Sequence, residues 1–253
     1  MTSQQRTTHA TTQTVGLATI TAAFVAVVVV SLTLLDGDEV GIFIGMMVLV
    51  GAATLVTWRF DTQWARVIGL VGTVVSLSGF FFAFGLFHVF SPIEFIAAVA
   101  YVMGVVLSLV GGIRAIIASR KGREGATRAE QRLPIVVAGI VGVAAVVSIT
   151  GFLVTRQNVS DSEAAGAELI EMTKFEFSPD PSAVPANATL LVKNSDPFVH
   201  DITIEDLDVF VSVGPGSSAL VELGNAPAGT YDYFCSLHWD GTSGMAGTLT
   251  IEG

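Results

Sequence analysis

The hydropathic rhythm of the chain changes once. Up to residue 155 apolar residues come in long uncharged runs, and beyond residue 169 they alternate with polar residues at a period of two. Five uncharged runs fill the first part, at 14–35, 40–58, 67–90, 95–113 and 134–155. Each has about the length of a helix that crosses a ~30 Å hydrocarbon core, so the pattern predicts five transmembrane helices. A cleaved signal peptide competes for the first run, but its apolar core would be roughly 7–15 residues followed by a small-residue cleavage site. The run observed is longer and reads as an uncleaved helix. Gly41 and Gly45, four residues apart, offer a place for close helix approach.

The loops orient these helices. Arg59 and Arg66 separate the second and third, and the 114–132 segment holds Arg114, Arg120, Lys121, Arg123, Arg128 and Arg132 against Glu124 and Glu130. Asp36, Asp38 and Glu39 lie between the first two. Basic loops stay cytoplasmic. The expected topology therefore has residues 1–13 as a disordered cytoplasmic tail, 14–155 as the membrane domain, and everything after 155 outside. Residues 156–168 read as a flexible linker. Alternating runs at 169–177, 189–193, 202–205, 209–213, 218–223, 230–235 and 248–251, separated by Gly/Pro turns, predict an all-β Greek-key sandwich of about seven strands.

Composition agrees with the membrane class: half the chain is apolar (51%), 13% is charged, and the mean hydropathy is +0.68. The net charge of −10 is uneven. Residues 156–253 carry three basic and fifteen acidic side chains, which argues against a nucleic-acid partner. The single cysteine, Cys235, excludes an internal disulfide, a copper pair bridged by two thiolates, a four-cysteine zinc site and an iron–sulfur cluster. His88 is the one histidine within the helical runs, so a bis-histidine haem within one chain is excluded; quinone contact or a second metal site competes there with simple placement at the water interface.

Candidate chemistry gathers near the end of the chain. Cys235, His238 and Met245 lie close in sequence, and His200 is in phase with Ile202 and Ile204, which turns it to the inner face of its strand. Cys235 is in phase with Tyr231 and Tyr233, and Met245 with Leu249 and Ile251. Buried without a partner, a thiolate and two imidazoles would be costly, and a metal resolves that. Two imidazoles, a thiolate and a weak axial thioether form the blue-copper set. Zinc can take the same ligands, although a methionine suits copper better; a plain buried thiol is the bland alternative.

Residues 169–253 resemble a cupredoxin, a blue copper domain of the plastocyanin/azurin type. The resemblance rests on Phe175-Glu-Phe-Ser-Pro179, Val184-Pro-Ala-Asn187, Lys193-Asn-Ser195, Val199-His-Asp201, Ala228-Gly-Thr-Tyr-Asp-Tyr-Phe-Cys-Ser-Leu-His238 and Gly244-Met-Ala-Gly-Thr-Leu-Thr250. It covers about a third of the chain. It implies His200, Cys235 and His238 as equatorial ligands of one type 1 copper ion, with Met245 axial. It further implies a hydrogen-bonding role for Asn194 between the ligand loops and a structural corner for Tyr231. The family spaces its last ligands C-x2-H-x4-M, whereas here they run C-x2-H-x6-M, and the two extra residues fall between Trp239 and Gly244. That departure bears on the Met245 contact.

Joined to the helix topology expected from the loops, the resemblance implies a membrane-anchored electron carrier on the extracytoplasmic side of the plasma membrane rather than an enzyme. Its expected partners are the lipid bilayer and a redox protein, such as a c-type cytochrome or a respiratory complex, docked near Trp239, Pro197 and Phe198. The alternative is a copper-binding protein for storage, delivery or sensing, with the helices in transport or signalling.

Overall fold

The structure, a computed structural model, describes residues 12–34, 37–60, 62–120, 128–178 and 183–253. Residues 1–11 of the expected tail and part of the basic segment, 121–127, lie outside the described residues. The chain divides into two compact units, Met1–Ile149 and Thr150–Gly253.

The first unit is helical: α1 (Thr12–Leu34), α2 (Gly37–Arg59), α3 (Gln63–Ser76), a 3-10 segment (Leu77–Phe87), α4 (Pro92–Arg120) and α5 (Arg128–Thr155). Among the described residues, three stretches are long and apolar enough to cross a membrane: Thr12–Val30, Pro92–Arg120 and Arg132–Thr155. The apolar part of α2, Ile44–Arg59, is shorter.

The expected third helix is not continuous. It starts earlier, with the Thr62 hydroxyl accepting the Ala65 N–H, and it leaves α geometry after Ser76. Three facts account for the break. Ser76 and Ser78 hydroxyls donate to the carbonyls three residues back, Thr73 and Val75. The Tyr101 hydroxyl donates to the Ser76 carbonyl at 2.7 Å, and Gly79 adopts a non-helical ψ of 22°. Side-chain and tertiary hydrogen bonds thus compete with the regular ladder at the point where a glycine is free to depart from it.

α1 is the central helix of this unit, packed on α2 and most extensively on α4. The close approach expected at Gly41 and Gly45 occurs elsewhere: a Cβ at either would meet nothing within 4 Å. It is Gly16 and Gly104 that let α1 and α4 touch through backbone, since a Cβ on Gly16 would lie 2.6 Å from the Gly104 carbonyl and one on Gly104 2.7 Å from the Gly16 carbonyl. Sequence spacing alone does not say which small residues face a neighbour.

The described residues of the second unit form a two-sheet sandwich of nine strands: β1 (Glu168–Thr173), β2 (Glu176–Ser178), β3 (Val184–Pro185), β4 (Thr189–Asn194), β5 (His200–Ile204), β6 (Val209–Val213), β7 (Ser218–Glu222), β8 (Gly229–Trp239) and β9 (Gly244–Glu252). One sheet has the order β2-β1-β4-β7 and the other β3-β9-β8-β5-β6. Alternate residues of both sheets fill one core: Ile170, Met172, Leu190 and Val192 face Ile202, Ile204, Tyr233, Leu249 and Ile251. The period-two pattern thus finds its inner face as expected.

Three features differ from the sequence reading. The run at 169–177 is split into β1 and β2 by Lys174 and Phe175, both with left-handed φ (55° and 61°), whose N–H groups are held by the Asp196 carboxylate. Val184–Pro185 forms a short strand parallel to β9. The expected flexible linker is tied down: Arg156 Nε donates to the Gly216 carbonyl, Val159 N–H to the Ser218 hydroxyl, and Ser218 N–H to the Gln157 carbonyl.

Candidate metal centre

The site is built by one long hairpin and one neighbouring strand. β8 and β9 pair Phe234 with Ala246 and then Trp239 with Gly244, so four residues of β8, 235–238, stand opposite a single residue of β9, Met245. This bulge pushes Cys235 and His238 out of the ladder toward the end of the sandwich while keeping both on the same local loop. His200 reaches the same place as the first residue of β5, inward-facing because Ile202 and Ile204 are.

The hairpin tip is residues 240–243, beyond the Trp239–Gly244 pair. There Asp240 accepts the N–H and hydroxyl groups of Thr242 and Ser243. Met245 stands in the β8–β9 ladder opposite residues 235–238. It is buried with Cys235 in the common core.

Three donor atoms converge. His200 Nδ1, His238 Nδ1 and Cys235 Sγ lie within 4.8 Å of one another. The two Nδ1 atoms are 3.1 Å apart, and Sγ is 3.4 Å from His238 Nδ1 and 3.8 Å from His200 Nδ1. His200 and Cys235 are fully buried, whereas His238 is half-buried. Burial pushes the Cys235 thiol up to about 11, so a metal must displace its proton. A soft thiolate and two imidazole nitrogens facing one point fit a copper or zinc ion; a carboxylate-preferring cation has no such match.

The surroundings fix these atoms. The Asp196 carboxylate accepts the N–H groups of Lys174 and Phe175 and lies 2.9 Å from His200 Nε2. Burial pushes the Asp196 carboxyl up, but the hydrogen bonds from His200, Phe175 and Lys174 outweigh it and hold it below the usual carboxylate value. On the other flank, Asp201 accepts Ser236 N–H at 2.9 Å, the Ser236 hydroxyl at 2.7 Å and the Thr203 hydroxyl at 2.8 Å, and its own N–H lies 3.4 Å from Cys235 Sγ. Phe175 meets both imidazoles edge-on, with centroids 5.4 Å from His200 and 4.8 Å from His238.

All four sequence-predicted residues lie at this end of the domain, and the structure groups His200, Cys235 and His238 directly. Asn194 acts differently from its expected role. It donates to the Phe198 and Val213 carbonyls and accepts Asp196 N–H, bracing the loop before His200; Asp201 makes the link to the cysteine loop. The Tyr231 hydroxyl donates to the Pro227 carbonyl, the corner that the resemblance implies. Of the expected docking residues, Phe198 packs on Phe175 beside His238, while Trp239 leans on Phe234. Among the helices, His88 pairs with Glu94 at 3.2 Å.

Asp196, Asp201 and Phe175 were not singled out by sequence reasoning. The available signal was their position: an acid directly after the candidate ligand His200, an acid four residues before it, and an aromatic in an otherwise polar turn.

No curated protein matches the chain. Among solved structures, a point variant of amicyanin in its reduced state shares 19% identity over 39% of this chain and 94% of its own, with a TM-score of 0.31. A second amicyanin variant, in its oxidised state, shares 19% over 37% and 86%, with a TM-score of 0.30. The copper-containing nitrite reductase from Thermus scotoductus SA-01 shares 21% over 34% of this chain, with a TM-score of 0.30, and only 22% of that enzyme's length is spanned. Residues 142–251 match the family model for the cupredoxin-like domain, and the C-terminal part of this chain is therefore a cupredoxin-like domain that follows a helical region.

Proposed function

We propose that this chain is a membrane-anchored type 1 copper protein that carries single electrons on the extracytoplasmic side. The observation that carries this reading is the convergence of His200 Nδ1, His238 Nδ1 and Cys235 Sγ at one buried end of the sandwich, with Met245 facing their loop. These would be three equatorial ligands and one axial ligand. Copper would supply one-electron cycling between Cu(I) and Cu(II). The residues supply the rest. His200 and Cys235 are sealed from water and braced by hydrogen bonds, which would hold the donor atoms in one arrangement as a bound copper ion changed oxidation state.

Only His238 among the three reaches the surface, beside exposed Leu237 and half-buried Phe175 and Phe198. Its edge is the natural exit for an electron, and the apolar rim suits a redox partner protein. Burial of the other ligands leaves a substrate no direct route to the metal, which supports a carrier rather than an enzyme. The acidic charge of residues 156–253 would steer a basic partner such as a c-type cytochrome or a basic face of a respiratory complex. The cationic loops at 59–66 and 114–132 support a cytoplasmic N-terminus and an external copper domain.

The test is copper loading of the purified full chain in detergent, followed by a visible spectrum and a redox titration. Intense blue absorption that vanishes in Cys235→Ser, with reversible one-electron behaviour, is expected. Tight but colourless copper binding would refute the carrier reading in favour of storage, delivery or sensing.

A further inference from the structure

We propose that the two buried carboxylates of Asp196 and Asp201 bias the centre toward Cu(II), giving it a low reduction potential and the character of an electron donor. This deepens the copper reading and rests on it. Asp196 and Asp201 are 2% and 1% exposed, and they flank the donor cluster from opposite sides.

Asp196 acts through His200. Its Oδ2 is 2.9 Å from His200 Nε2, and both oxygens already accept backbone N–H groups, from Lys174 at 2.8 Å and Phe175 at 3.0 Å. An acceptor-only partner places the imidazole proton on Nε2 and leaves the Nδ1 lone pair aimed at His238 and Cys235. A carboxylate hydrogen-bonded to a ligand imidazole also makes that imidazole a stronger donor, which favours the more highly charged metal state. The same two backbone hydrogen bonds hold the left-handed Lys174–Phe175 turn that sets the Phe175 ring against both imidazoles.

Asp201 acts on the thiolate. Its Oδ2 accepts from the Cys235 thiol at 3.8 Å while the proton is present, and its oxygens also accept from the neutral donors Ser236 and Thr203. Among the described residues neither carboxylate pairs with a lysine or arginine. Once the Cys235 proton is displaced, three negative charges surround the donor cluster away from water. A dication neutralises that field better than a monocation, and at such depth added salt screens it little. Asp196 and Asp201 are thus positioning residues whose charge selects the oxidation state.

The experiment is a redox titration of the copper-loaded full chain carrying Asp196→Asn, Asp201→Asn or both. Each substitution is expected to shift the Cu(II)-over-Cu(I) preference about tenfold toward Cu(I), which raises a one-electron midpoint by about 59 mV. The double variant should move further, and none of the shifts should depend strongly on salt. Midpoints that stay put or fall in both single variants overturn the proposal. Asp196→Glu, which keeps the charge, should retain a lower midpoint than Asp196→Asn; equal midpoints overturn the charge account. A separate readout needs no substitution and no metal: nitrogen NMR of the histidine-labelled wild-type chain should show the His200 proton on Nε2, and a proton on Nδ1 overturns the Asp196 half. A wild-type chain that takes up no copper sinks the copper reading itself, and the proposal with it, whichever tautomer His200 shows.

Discussion

Gly244→Ala tests whether the hairpin register is what assembles the donor cluster. Gly244 pairs with Trp239 across the β8–β9 ladder and immediately precedes Met245. Its φ is +115°, a conformation that side chains rarely adopt. A Cβ there would overlap the His238 carbonyl oxygen and come within 3.1 Å of its carbon and 3.3 Å of the Trp239 Cα. All three obstacles are backbone, so no side-chain rotation relieves them. The strained φ costs about 1–3 kcal/mol, and the overpacking adds about 1–3 kcal/mol. Against a total stability of ~5–15 kcal/mol the sum is large.

Gly241→Ala is the control. It also has a positive φ, +94°, but a Cβ there meets nothing within 4 Å, so it carries the conformational cost alone. Hydrogen exchange of peptides covering 229–252 should therefore speed up in both variants and more in Gly244→Ala, by about tenfold for every 1.4 kcal/mol of difference. Copper affinity should fall in Gly244→Ala and hold in Gly241→Ala. Equal exchange and equal copper affinity in the two variants would refute the claim that the Trp239–Gly244 pair sets the ligand loop.

On the proposed reading, Met245→Leu should leave copper bound and raise the midpoint, because it would remove a weak axial thioether and keep three strong donors; an unchanged midpoint in the titration removes Met245 from the proposed ligand set. Gly104→Leu should separate α1 from α4, since even a Cβ meets the Gly16 carbonyl at 2.7 Å and Ile20 Cγ1 at 2.7 Å. A lower melting temperature of the helical signal in detergent checks this, and a wild-type melt contradicts it. Asp240 gives a pH prediction: the N–H groups of Ser243 and Thr242, then their hydroxyls, hold its carboxyl well below the usual carboxylate range. A depressed folded value stabilises the hairpin tip above the unfolded value of ~3.9 and loses that contribution as pH falls below it. An NMR titration should find Asp240 still ionised at a pH where exposed aspartates are half protonated, and ordinary titration would overturn the capping account.

The sequence by itself determined the two-part organisation, because uncharged runs of membrane length and period-two alternation are properties of the chain alone. It also determined the inward side of β5 and β9: His200, Met245, Leu249 and Ile251 are buried as their parity requires. Rare chemistry, one cysteine beside a histidine and a methionine, made the candidate ligand residues legible. Tertiary structure alone decided how they meet. The four-against-one bulge opposite Met245 is a relation between two strands, and residues 240–243 form the hairpin tip because Trp239 pairs with Gly244. Alternation would place Asp201 outside its strand, yet it is buried because the Ser236 loop folds over it. The third helix breaks where Tyr101, twenty-five residues away, takes the Ser76 carbonyl. Local pattern records which face a residue prefers; it cannot record which distant backbone group will satisfy it, and at this centre those distant partners hold the donor atoms in place.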